Sequence, residues 1–144
     1  MANDIDTNNK AIVRKAFAAW AAGTGGPFEL LTPEATWTIV GRSVAARTYP
    51  NREAFISEVI APFNARMRER LIPTVHDVLA DGEKVLVFFD ARATTHDGTP
   101  YTNTYAWLLT MRDGRVVNAT AFFDSIAFDE LWHRVQPRAS GARY

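Results

Sequence analysis

Asp90 is the residue from which chemistry could start. It is a carboxylate at the end of the apolar run Val85-Leu86-Val87-Phe88-Phe89, with Arg92 two residues on. On a strand face shared with Leu86, Phe88 and Arg92, desolvation would raise its pKa and suit it to move a proton near neutral pH. An ion pair with Arg92, or with Arg14 from the first helix, would lower the pKa and make Asp90 structural. Two hydrogen-bonding groups, Asn103 and Tyr105, share one face of the next strand with Tyr101, Trp107, Leu109 and Met111. A buried amide needs several hydrogen bonds, and a phenol either donates its O–H or serves as a core aromatic. Asp124 stands just ahead of a helical segment, where aspartate is a favoured N-cap.

These residues lie in a frame of long strands. Val85 to Thr95, Tyr101 to Arg112 and Arg115 to Phe123 alternate as strands, joined at His96-Asp97-Gly98 and Asp113-Gly114. Strands of ten or so residues at about 3.3 Å each must twist and bend, and a bent sheet wraps around something. Arg70 to Ala80 precedes them as another strand, closed by Asp81-Gly82, a hairpin signal. Upstream, Val13, Phe17 and Trp20 recur at helical spacing in a helix capped by Asp6 or Thr7 and running to about Ala22. Ala35 to Val40 reads as a strand carrying Trp37 and Ile39 on one face, and Asn51 caps a helix with Phe55, Val59 and Phe63 inward. Pro62 should kink or end that helix. In the last helix, Ser125 to Val135, Phe123 and Phe128 are spaced as a hydrophobic staple around Asp124.

The expected architecture is α+β: a curved, mostly antiparallel sheet packed on N-terminal helices, with a short C-terminal helix. The 144 residues form one domain with loose ends at 1–6 and 138–144. Sixteen basic and sixteen acidic residues leave no net field for phosphate backbones, so nucleic acid is not an expected partner. With no cysteine and three histidines at unrelated spacings, neither thiolate chemistry nor a zinc site is expected, and no metal or cofactor. No run is long and apolar enough for a membrane helix and the start is not signal-like, which makes the cytoplasm the expected compartment. Both faces of the strand from Val85 are apolar, so something should cover the outside of the sheet. A second copy of the chain docking on Val87, Phe89, Leu108 and Phe122 would do so.

The segments LTPEATWTIVG (Leu31 to Gly41), NREAF (Asn51 to Phe55) and YTNTYAWLLTMRDGRVVNATAFFD (Tyr101 to Asp124), the last followed by a short helix, resemble the nuclear transport factor 2-like superfamily. Within it the chain is similar to ketosteroid isomerases, SnoaL-like polyketide cyclases and limonene epoxide hydrolase. The resemblance implies a cone with a deep apolar pocket for a small apolar molecule. By placement it points Trp37, Ile39, Ile72, Thr74, Phe88, Asp90, Asn103, Tyr105, Trp107, Ala121 and Phe123 into that pocket. Arg92, Phe17 and Trp20 join them, and Trp20, Trp37 and Trp107 would shape a flat aromatic or terpenoid ligand. The resemblance further implies that Asp90 falls where the epoxide hydrolase carries a catalytic acid, that an oxyanion donor belongs near Tyr105, and that Asp124 stands where the cyclases carry a general acid. The hydrolase's arginine and second aspartate correspond to Phe88 and Ala121, and the isomerases' base to Ile39-Val40. The expected activity is therefore acid/base catalysis with Asp90 moving the proton and Tyr105 and Asn103 holding an oxyanion. The other outcomes are a non-catalytic binding pocket, or a dimerising module with a vestigial one.

Overall fold

The computed structural model describes residues 2–138, and the expected tail beyond Arg138 lies outside the described residues. Helix α1, Ala2–Ala22, begins ahead of the expected caps at Asp6 and Thr7. Asp6 instead accepts the Gly82 N–H (2.6 Å), and Asn9 donates to the Gly82 carbonyl (3.2 Å), which ties α1 to a hairpin turn of the sheet. Val13, Phe17 and Trp20 form the buried stripe. Gly23, at φ 78°, ends the helix in the left-handed region that glycine adopts without strain.

A 3-10 turn, Pro27–Leu30, leads into β1 (Leu31–Ile39), and a two-residue β2 (Thr48–Tyr49) pairs with its end. The helical segment that follows is broken into α2 (Arg52–Phe55), a π turn (Ile56–Ile60) and α3 (Ala61–Asn64). Asn51 caps α2 as expected, accepting the Ala54 N–H at 2.8 Å. Pro62 neither ends nor shortens the segment. It stands in the first turn of α3, just after the π turn, in which the Ala61 N–H bonds back to the Ile56 carbonyl. This segment roofs the inner face of the sheet.

Strands β3 (Met67–Asp81), β4 (Lys84–Thr95), β5 (Pro100–Arg112) and β6 (Arg115–Phe123) then form an antiparallel meander, and β1 joins β6 in parallel. The six-stranded mixed sheet has the order β2-β1-β6-β5-β4-β3. Asp113 (φ 51°) and Gly114 (φ 76°) make the tight β5–β6 turn, where two residues of positive φ match the twist of the flanking strands. Helix α4, Ser125–Arg134, closes the open end, with the Phe123 and Phe128 rings 5.1 Å apart as the expected staple. Arg66 holds α4 in place: its Nε donates to the carbonyls of Val135 (2.8 Å) and Trp132 (3.2 Å), Nη1 donates to that of Pro62 (2.9 Å), and the guanidinium lies 3.8 Å over the Trp132 ring. Burial lowers the Arg66 pKa. No helix among the described residues is long and apolar enough to cross a membrane.

One alternation runs opposite to expectation. On β4 the residues packed inward are Val85, Val87, Phe89, Ala91 and Ala93, and those facing out are Leu86, Phe88, Asp90 and Arg92. The register explains it, because Phe89 sits opposite Tyr105 and Val87 opposite Trp107, on the bulky inner face of β5. Val87 and Phe89 are fully buried, so they are core and not part of an outer patch. On β3, likewise, Leu71 and Pro73 are buried while Thr74, opposite Asp90, is exposed and Ile72, opposite Arg92, faces the same side. The outer apolar strip consists of Leu79, Leu86, Phe88, Leu108 and Phe122, on four neighbouring strands.

Candidate functional site

The inner face of the sheet, α1, the roof and α4 enclose an aromatic box centred on Trp107. β5 places Trp107 between Val87 and Ala121 on the flanking strands, both small enough to leave the indole standing clear of the sheet. Trp20 from α1 stacks on it at 5.8 Å, and Trp37 from β1 meets it edge-on at 4.9 Å. Phe55, just before the π turn, stacks on Trp37 at 4.2 Å. These side chains enclose a cavity of about 60 Å³. Of the residues expected at a pocket, Trp20, Trp37, Ile39, Tyr105, Trp107, Ala121 and Phe123 line it. Phe17 packs behind it, against Trp20, Phe89 and Trp107. Ile72, Thr74, Phe88, Asp90 and Arg92 do not reach it, because their strand registers turn them to the other side of the sheet. Phe28, Phe55, Val59, Ile60, Phe63, Leu71 and Phe128 complete the lining, and of these the sequence placed Phe55, Val59 and Phe63 inward without assigning them to a site. Their helical spacing was the available signal.

Tyr105 lines the cavity from β5. Tyr105 stacks on Phe89 at 5.0 Å, and its hydroxyl lies 2.8 Å from that of Tyr101. Burial pushes the Tyr101 phenol up to about 12 and the Tyr105 phenol well above its ordinary value, so both keep their protons at neutral pH. Asn103, buried on the same face, makes four hydrogen bonds. Its Oδ1 accepts the backbone N–H of Thr104 (2.8 Å) and of Asp124 (3.0 Å), and its Nδ2 donates to the Asp124 carbonyl (3.0 Å) and the Tyr101 hydroxyl (2.8 Å). An amide offers four such positions, so Asn103 is fully used. Asp124 caps α4, its Oδ1 accepting the Ile126 N–H at 2.9 Å.

Asp90 belongs to a different place. A groove of about 430 Å³ is lined by Ile72, Thr74, Asp90, Ala91, Arg92, Thr102, Asn103, Thr104 and Asp124, so that Asp90, Asn103 and Asp124 border one groove. Asp90 accepts the Thr104 hydroxyl (2.7 Å) and pairs with His76 Nε2 (2.9 Å). Neither Arg92 nor Arg14 is its partner, and Arg92 has no hydrogen-bond or ion-pair partner among the described residues. The Thr104 bond first, and His76 second, hold the Asp90 carboxyl below its ordinary value. Because the folded value is depressed, the pair's contribution to stability is present above the unfolded value of about 3.9 and is lost as pH falls through the folded one. A carboxyl-carbon NMR titration, assigned with Asp90→Asn, is expected to place Asp90 below about 3.9. A raised value would overturn the pairing with Thr104 and His76.

Among the described residues no three His, Asp or Glu side chains come together as a metal site. In comparison with known proteins, the family model described as the SnoaL-like domain matches residues 13–119. No protein of curated function matches the chain in sequence. Among solved structures, Bal32a from a soil-derived mobile gene cassette superposes with a TM-score of 0.72 at 23% identity, covering 88% of this chain and 98% of its own. A putative SnoaL-like polyketide cyclase from Jannaschia sp. CCS1 follows at 0.69 and 20%, covering 86% and 90%. TerC, co-crystallised with polyporic acid, superposes at 0.69 and 22%, covering 88% and 98%. At these identities the three structures establish the shared fold.

Proposed function

Since the chain belongs to the SnoaL-like domain family, we propose that its aromatic interior binds a small, flat apolar molecule and does no acid/base chemistry on it. The observation that carries this reading is the lining of the cavity. The residues that line it are apolar or aromatic, and among the described residues no carboxylate or imidazole lines it. Apolar walls with one or two placed polar groups are the form of a small-molecule site. An isomerase or cyclase acting there would need a group that takes up a proton, and Asp90, the expected one, faces the opposite side of the sheet. That TerC was co-crystallised with polyporic acid supports small-molecule binding by a chain of this fold.

The cavity of about 60 Å³ is smaller than the roughly 150 Å³ that holds a benzene ring. Binding therefore requires the roof to move outward, and the roof is built for it: Phe55, Val59, Ile60 and Phe63 line the cavity from a segment interrupted by a π turn. Titration with indane followed by NMR is expected to shift the Trp37, Trp107 and Phe55 resonances. Phe55→Ala, which removes the ring stacked on Trp37, is expected to tighten indane binding while lowering stability. A ligand recovered unchanged after long incubation supports the reading. Turnover of a bound ketone or epoxide would eliminate it.

We further propose that two copies pair through the outer face of the sheet. Leu79, Leu108, Phe88 and Phe122 are between 37% and 58% exposed, which leaves a contiguous apolar strip open to water. Sedimentation is expected to give a dimer at micromolar concentration and a monomer for Leu108→Lys, with stability of the fold itself little changed. A monomeric wild type would end this assignment.

A further inference from the structure

The roof closes over the cavity with one of its own polar groups unsatisfied. Asn64, the last residue of α3, is 7% exposed, and its Nδ2 is sealed from water with no hydrogen-bond partner among the described residues. An amide NH2 brings two donors, and burying them unmade opposes the closed arrangement. Both ends of the roof are fixed. Asn51 caps its start, and just beyond its far end the Ala65 carbonyl accepts from His96 Nε2 (2.9 Å) and from the Arg138 N–H (2.8 Å). Between these ends the π turn is held from outside by a single ion pair, in which Arg47, from the loop after β1, meets Glu58 with both side chains open to solvent.

We infer that the roof is a gate, in which the unmade Asn64 amide favours opening and the Arg47–Glu58 pair latches the roof shut. The inference rests on the proposal that the interior binds a small apolar molecule, and it says what controls that molecule's entry. Opening brings Nδ2 to water, which supplies the hydrogen bonds that the closed roof denies it. One buried donor left unmade shifts such an equilibrium about tenfold. Closing is favoured by Phe55 stacked on Trp37 at 4.2 Å, and by Val59 and Phe63, both buried in the cavity wall. The exposed ion pair adds a factor of only about two to five, but it is the part of the balance that salt screens. Ionic strength therefore sets how often the gate opens. Because the closed cavity is too small for the ligand, apparent affinity scales with the fraction of molecules whose roof is open.

Native-state hydrogen exchange of the full chain, read by NMR, tests the gate without a ligand. Roof amides between Phe55 and Asn64 are expected to exchange at least about a hundredfold faster than those of β5, through openings that leave the sheet intact. Asn64→Leu, which removes the polar group, should slow roof exchange about tenfold and weaken indane binding by the same factor. Glu58→Gln should speed roof exchange about two- to fivefold and remove the rise with added salt that wild type shows. Wild-type roof amides as slow as those of β5 would overturn the inference. So would roof exchange that stays unchanged in folded Asn64→Leu while β5 exchange moves, since the amide would then affect overall stability and not opening. If the exchange results are as expected but indane binds none of these proteins, the gate stands and the ligand proposal falls. Should Asn64→Leu fail to fold, the wild-type contrast between roof and β5 and the effect of Glu58→Gln decide by themselves.

Discussion

Replacing Phe89 with alanine is expected to lower the free energy of unfolding by about 3–5 kcal/mol, and the same change at Phe88 by less than about 1 kcal/mol. The two phenylalanines are neighbours on β4 with opposite fates. Phe89 is fully buried and its ring meets Phe17 (4.9 Å), Trp107 (4.9 Å), Tyr105 (5.0 Å) and Trp20 (6.0 Å). Removing it opens a void in the middle of an aromatic cluster whose other members are held by α1 and β5 and cannot collapse to fill it. Phe88 is 40% exposed on the outer face, with His76 as its ring neighbour at 5.4 Å. Its loss leaves no void. Urea denaturation of the two variants, at a protein concentration low enough to keep the chain monomeric, checks the register of β4 directly. Similar losses for both, or a larger loss at Phe88, would mean that β4 faces the other way and that Asp90 lies inside.

Asn103→Leu is expected to cost about 3 kcal/mol, from several buried groups left without partners at about 1–3 kcal/mol each, partly relieved by water. The change strips hydrogen bonds from the Thr104 N–H, the Asp124 N–H, the Asp124 carbonyl and the Tyr101 hydroxyl at once. Since Asp124 is the cap of α4, the loss should spread to that helix. Hydrogen exchange is expected to show α4 amides opening more readily in the variant, with β3 and β4 protected as before. An asparagine whose task was only to hold a substrate oxyanion would leave stability unchanged when replaced. That outcome would return Asn103 to the catalytic role expected from sequence.

Much of the fold was legible in the residues. The stripe Val13, Phe17, Trp20 on α1, the Asn51 and Asp124 caps, the staple of Phe123 on Phe128, the turn at Asp113-Gly114 and the bulky inner face of β5 all stand where the pattern put them, and the turn expected at Asp81-Gly82 falls one residue on, at Gly82-Glu83. Each is a local feature, governed by residues within a turn or two of one another. The facing of β4 was not legible from its own alternation, because Val85, Val87 and Phe89 on one side are matched by Leu86 and Phe88 on the other. The hairpin at His96-Asp97-Gly98 held the answer, since pairing outward from that turn sets Phe89 opposite Tyr105.

The amino-acid sequence by itself therefore determined the elements, their order and an apolar interior rich in aromatic residues. Only the tertiary structure decided which polar groups share that interior. A one-residue difference in strand facing moves a carboxylate from one side of a sheet to the other, and the energy that selects the facing comes from partners on other strands and on α1. So Asp90 went to an outer groove, paired with His76 and Thr104, and Tyr105 was left lining the cavity.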